Sequence, residues 1–205
     1  MEIVLIVAIL VMSVVIHEVS HGYVAGLLGD PTAKLAGRLS LNPIKHIDPV
    51  GSILVPLVLA ILPTNFILGW ARPVPYNPYN LKWGKYGPAV VAFAGPASNL
   101  LIAFLFGLAF RLNIFSGSLP QAAEGAILLV VFINTVIGLF NLMPFPPLDG
   151  SKILFAVLPY RFRQIEVFMI RYQLFLLLFF ILFAGAVFIP VVGWLAYLFT
   201  GVPTF

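Results

Sequence analysis

Long apolar runs separated by short polar stretches set the plan of this chain. Ile3 to Ile16 is apolar apart from Ser13, crosses His17-Glu18-Val19-Ser20-His21-Gly22, and continues through Tyr23 to Leu28. Val50 to Ala71 is uncharged but holds Pro56 and Pro63, and Ala89 to Phe110 is unbroken after Pro96. Gly125 to Leu142 runs into a proline cluster, and Tyr172 to Phe205 is uncharged and divided by Pro190. A helix needs about 20 mostly apolar residues to cross the hydrocarbon of a bilayer. The runs predict spans at about 3–28, 89–110 and 125–143, a C-terminal span at about 172–189 and an apolar tail at 190–200.

The connectors differ in character. Gly29 to Pro49 is polar and basic, and its piece Lys34 to Leu41 alternates with a strand-like period. Arg72 to Pro88 is rich in Pro, Asn and Tyr, which predicts extended or turn-like chain. Ser151 to Arg171 reads as amphipathic, with Ile153, Leu154, Val157 and Leu158 opposite Lys152, Arg161, Arg163 and Arg171, and suits the membrane interface. No internal repeat, low-complexity tract or second soluble domain interrupts the pattern. The expectation is one all-α polytopic membrane domain over residues 1–205, with short β-like or re-entrant connectors.

Composition sharpens this. The chain of 205 residues is 61% hydrophobic and only 9% charged. A soluble domain carries about 25% charge, so an ordinary soluble globule is excluded. Disorder needs the opposite balance and is excluded too. Zero cysteine removes thiolate chemistry, disulfides and cysteine-bound metal. The net charge of +4 is scattered over connectors, which fits membrane topology and not nucleic-acid binding.

His17-Glu18-Val19-Ser20-His21 is an H-E-x-x-H motif. On a helix, positions i and i+4 share a face, so two imidazoles can grip one metal ion, and the Glu can act as general base toward its water. Ionisable groups inside a span are costly and functional by default; a polar patch bonding between helices is the plainer alternative. A catalytic zinc needs a third protein ligand and one open position. Asp30, His46, Asp48 and Asp149 are the ionisable residues near other apolar segments. His46 and Asp48 lie in the basic connector, where a water-facing loop residue is the plain reading. Asp149 follows Pro144, Pro146 and Pro147, which cannot continue a helix. Such chain at membrane depth lines a wet cavity or is buried in protein, and can bring a carboxylate to the histidines. A helix-ending turn with a capping Asp is the alternative.

His17-Glu18-Val19-Ser20-His21 together with Asn141-Leu142-Met143-Pro144-Phe145-Pro146-Pro147-Leu148-Asp149-Gly150 resembles the site-2 protease family of intramembrane zinc metalloproteases. Phe93 to Asn99 resembles that family's middle core helix. Gly29 to Ala33, Gly37 to Pro43 and Gly69 to Pro75 resemble a compact prokaryotic branch without a PDZ domain. The resemblance implies a three-helix core, zinc as cofactor with His17, His21 and Asp149 as ligands, and Glu18 as general base. It also implies Asn141 near the substrate, with Asn99 at a helix-packing or substrate-side position. The implied activity is hydrolysis of peptide bonds in transmembrane substrates, within the lipid bilayer of a prokaryotic cell.

The metal hypothesis constrains the topology. If His17, His21 and Asp149 bind one ion, the first and third core spans run the same way and the middle one opposes them. The stretch from Gly29 to Pro88 then begins and ends on one membrane face, so 50–68 dips in and returns. Ten of the eleven Lys and Arg residues fall on one side of that arrangement and only Arg111 on the other. By the positive-inside rule the basic side is cytoplasmic, and the site opens toward it. A substrate helix must unwind before it can be cut, because its amides are bonded internally. Gly37 to Asn42 and Arg72 to Tyr79 are candidates to pair with the unwound strand. Two other classes stay open: a non-proteolytic protein that binds membrane helices and retains the metal site, and a transporter using the buried charges as an ion path.

Overall fold

The computed structural model describes residues 2–61, 69–114 and 121–203. Among these the fold is all-helical, with no strand. Three helices are long and apolar enough to cross a membrane: α1 (Glu2–Leu27), α4 (Gly87–Arg111) and α5 (Gln121–Asn141). Between the first two lie the short α2 (Thr32–Leu35) and α3 (Val55–Ile61). After α5 come α6 (Asp149–Val157), α7 (Arg163–Arg171), α8 (Gln173–Phe179) and α9 (Gly185–Thr200).

Helix α4 is the centre of the bundle, packed against α1, α5, α6 and α9. Its sequence explains why. Gly87, Val91, Gly95, Asn99, Ala103 and Gly107 recur every four residues and are all buried. Small residues on one face let neighbouring backbones approach closely. A Cβ at Gly107 would lie 2.6 Å from Cβ of Phe199 on α9. Ala103, Val131 and Ala196 form the buried contact of α4, α5 and α9, with Phe199 against it. The outer faces remain apolar: Ile3, Val4, Leu101, Leu105, Phe175 and Trp194 are all exposed, as lipid-facing residues should be.

Contacts along α1 give the helix directions. Asn99 lies beside Ser13 and His17, and Val91 lies beside His21, so α4 runs antiparallel to α1. Asn134 of α5 lies beside Ser13, and Asp149, beyond the end of α5, lies beside His17 and His21. Helices α1 and α5 therefore run in the same direction.

The alternation of Lys34 to Leu41 does not make a strand. Its start belongs to α2, and Gly37 then takes a left-handed turn with φ of 63°. The helical turn and the left-handed Gly37 break the eight-residue alternation in its middle, so no continuous extended run is left to pair. The segment after Pro49 is helical, with π-type turns at Pro49–Leu54 capped by the Asp48 carboxylate, which accepts from the amides of Val50 and Gly51. The amide of Trp70 donates to the Gly51 carbonyl at 3.1 Å, and Ser52 Oγ donates to the Trp70 carbonyl at 2.8 Å. The stretch thus leaves and returns at one place. Residues 62–68 of the expected re-entrant segment lie outside the described residues.

The C-terminal part differs from a break at Pro190. That proline sits inside α9, which runs through it to Thr200. Proline within a membrane helix is tolerated because the freed backbone groups find other partners, and the π-type turn at Phe180–Ala184 already loosens the ladder just before it. The amphipathic stretch 151–171 is two helices, α6 and α7, because Pro159 cannot continue the first. Tyr160–Arg171 and Gln173–Phe183 meet at a bend of 73°.

Candidate metal centre

Helix α1 carries His17 and His21 one turn apart on the face against α4, where they are 4% and 8% exposed. Their rings meet edge to face, with centroids 4.7 Å apart. Room for them comes from Gly95. A Cβ there would stand 2.5 Å from Nε2 of each histidine, so glycine alone leaves space for the rings and for anything between them.

The tautomers follow from the partners. Nδ1 of His21 lies 2.7 Å from the Val91 carbonyl, which can only accept, so this nitrogen carries the proton. Nδ1 of His17 lies 2.6 Å from Oδ1 of Asn99. Asn99 presents oxygen there because its Nδ2 is committed, donating to the Ser13 carbonyl and to Asn134 Oδ1. Asn134 in turn donates to Ser13 Oγ and the Val130 carbonyl. In both neutral imidazoles the remaining nitrogen, Nε2, is then a lone pair.

The third member comes from the loop after α5. Pro144, Pro146 and Pro147 end that helix, and α6 starts at Asp149. Gly150 is needed at this start, because a Cβ would collide with the carbonyl oxygens of Leu142 and Met143. Asp149, 7% exposed, places Oδ2 3.1 Å from Nε2 of His17 and 3.0 Å from Nε2 of His21. Three acceptor atoms therefore converge on one point, which is repulsive without a cation or proton between them. The two Nε2–Oδ2 separations also suit a metal, since ligands about 2.0 Å from a tetrahedral ion lie roughly 3.3 Å apart, and all three ligand atoms lie within 4.8 Å of one another. Among the described residues, His17, His21 and Asp149 are the one group of this kind that could hold a metal ion.

Glu18 points elsewhere, toward the connector between α3 and α4. Its Oε2 accepts from the Val74 amide at 2.9 Å. Val74 is buried, and a Cβ at Gly22 would lie 2.7 Å from its Cγ1 and from Leu39 Cδ2. Arg38 ties both connectors together, its Nη2 donating to the Arg72 carbonyl at 2.7 Å. Chain from 37–42 and from 72–75 thus lies together beside Glu18.

The other sequence candidates take structural places. Asp30, 1% exposed, accepts from Thr32 Oγ1, the Asn77 amide and Asn80 Nδ2, and so pins the connector to the end of α1. Burial opposes its ionisation, but these hydrogen bonds outweigh burial and hold its pKa below the ordinary carboxylate value. His46 is buried with Nε2 2.8 Å from the Ser40 carbonyl. Asp48 caps the helical turn after it. Asn141 donates to the Ile137 carbonyl of its own helix. Asn99 is 0% exposed, so its surroundings are those of a packing and orienting residue. Sequence reasoning missed Asn134 and Lys152. An Asn within an apolar span was the available signal for the first. For the second it was spacing, three positions after Asp149.

Fold and site together define a polytopic membrane protein with a buried His-His-Asp group on its central helices. A profile described as "Peptidase family M50" matches residues 111–185. The chain is 42% identical over 160 residues to "Putative zinc metalloprotease YwhC" of Bacillus subtilis (strain 168), covering 73% of this chain and 67% of that protein. It is 29% identical over 148 residues to "Putative zinc metalloprotease Rip2" of Mycolicibacterium smegmatis, covering 72% of this chain and 54% of that one. No solved structure matches. This protein belongs to peptidase family M50. It spans about half the length of the Rip2 relative.

Proposed function

We propose that this chain is an intramembrane zinc metalloendopeptidase that cuts transmembrane protein or peptide substrates. The observation that carries the reading is the convergence of two Nε2 lone pairs and Asp149 Oδ2 on one point beside Glu18's helix. Zinc fits this donor set of two imidazoles and one carboxylate, and the relatives' names point to the same metal. Bound there, zinc would supply a Lewis acid and lower the pKa of a water toward about 7.

His17, His21 and Asp149 hold the ion, and Asn99 and the Val91 carbonyl hold the two rings in the tautomer that presents Nε2. Glu18 takes the proton of the attacking water and returns it to the leaving amine. To do so it exchanges its hydrogen bond to Val74 for one to the water. The hydrogen bond from the Val74 amide to Glu18 supports the 72–75 connector as the strip beside which an unwound substrate lies, and Asn141, at the end of α5, remains a candidate to contact it. The site lies where the membrane-length helices α1 and α4 pack, with Asp149 just beyond the end of α5, and this supports a membrane segment as the substrate. The excess of Lys and Arg on one side supports a cell-membrane protein whose site opens to the cytoplasm.

The test is cleavage of a tagged model transmembrane substrate in liposomes by wild type and Glu18→Gln, with bound metal measured in the same samples. The reading expects Glu18→Gln to keep metal and lose cleavage. Undiminished cleavage by Glu18→Gln would refute the role of Glu18.

A further inference from the structure

Asp149 uses its two oxygens differently. Oδ2 faces both imidazoles, whereas Oδ1 lies 3.1 Å from Nζ of Lys152. Lys152 stands three residues on in α6, so one helical turn brings the ammonium over the carboxylate. Its side chain is 41% exposed, while that of Asp149 is 9% exposed. Nζ also lies 5.9 Å from the ring centre of Tyr76, in the connector that meets Glu18 through Val74. Lys152 thus stands at the open side of the group, with one donor on Asp149.

We propose that Lys152 is a positioning residue of the metal centre: it holds Oδ1 of Asp149 away from the ion, so the carboxylate gives one oxygen only. The inference rests on the protease reading above. A carboxylate can bind a cation through one oxygen or both. A catalytic zinc site needs three protein ligands and one vacant position for water. An Asp149 free to turn would add its second oxygen beside the water, raising the coordination from four to five and weakening the ion's hold on that water. A charge-assisted hydrogen bond is roughly twice as strong as a neutral one, and here it engages the second oxygen directly. The site's capacity to accept water then depends on a residue that touches neither metal nor substrate.

Cobalt(II) replacing zinc reports this, because four-coordinate cobalt absorbs visible light strongly and five-coordinate cobalt weakly. Full-length wild type, Lys152→Met and Lys152→Arg would be loaded with cobalt in detergent, and turnover of the model substrate measured beside the spectra. Wild type should show the strong spectrum. Lys152→Met should show the weaker one and lose about 10–100-fold in turnover, and Lys152→Arg should recover most of both. Thermal unfolding separates loss of the centre from loss of the fold. If Lys152→Met does not fold, Lys152→Ala replaces it, since alanine suits a half-buried helical position. A neutral variant with the wild-type spectrum and turnover overturns the inference and leaves the protease reading standing. A wild type that takes up no cobalt overturns both.

Discussion

Asn99 accepts a 2.6 Å hydrogen bond from Nδ1 of His17 across 82 positions of sequence. The bond decides which nitrogen of His17 is left to face Asp149, and it joins the metal group to a buried network of Asn99, Asn134 and Ser13. Replacing Asn99 by leucine removes the acceptor that fixes the ring and strands Asn134. Metal affinity should fall about 10–100-fold. Stability should fall by about 1–3 kcal/mol, the cost of unsatisfied buried polar groups. Chelator competition and thermal unfolding measure the two effects separately.

Gly95→Ala should abolish metal binding without harming the helix. The new methyl would sit 2.5 Å from both Nε2 atoms, in the space an ion would share. Alanine otherwise favours a helix interior over glycine by about 1 kcal/mol. Circular dichroism should therefore stay helical while metal content drops to background. Full metal content in this variant would place the ion elsewhere.

His46 is the histidine outside the motif, and its burial and its bond to the Ser40 carbonyl give it a structural part. His46→Ala should lose about 1–3 kcal/mol of stability and keep its full metal content. Elemental analysis beside a melting curve checks this.

Asp30 makes a pH-dependent contribution. Its folded pKa lies below the unfolded value of about 3.9, so its stabilisation is complete above that pH and is lost as pH falls through the folded value. Asp30→Asn should unfold at lower temperature than wild type at pH 7, by a difference worth about 1–3 kcal/mol. The gap should close below about pH 4. Melting curves in chelator, where metal release cannot contribute, test the sign.

Much of the fold was legible because a bilayer demands long uninterrupted apolar runs, and α1, α4 and α5 are such runs. His17 and His21 were legible because helical spacing alone puts them on one face. Residue types alone left Asp149 as one of three candidate carboxylates, since nothing local says that α6 starts beside α1, and only the family resemblance singled it out. What stayed hidden is how the rings are oriented, for the resemblance named Asn99 as a packing or substrate-side residue and not as the partner of His17. Asn99 and Val91 are 82 and 70 positions from the histidines they orient. The alternation in Lys34 to Leu41 misled because Thr32–Leu35 closes a helical turn and the extended residues after Gly37 bond to other connectors instead of a strand. Pro190 misled because a helix among apolar neighbours runs through it.

The central claim is that His17, His21 and Asp149 together hold one metal ion. Metal content of purified wild type and Asp149→Asn, read by mass spectrometry after zinc is supplied and excess removed, tests it most directly. Wild type should carry about one zinc per chain and Asp149→Asn far less, because a site of three protein ligands loses its only charged one. Equal zinc in both proteins, or none in wild type, would contradict the claim.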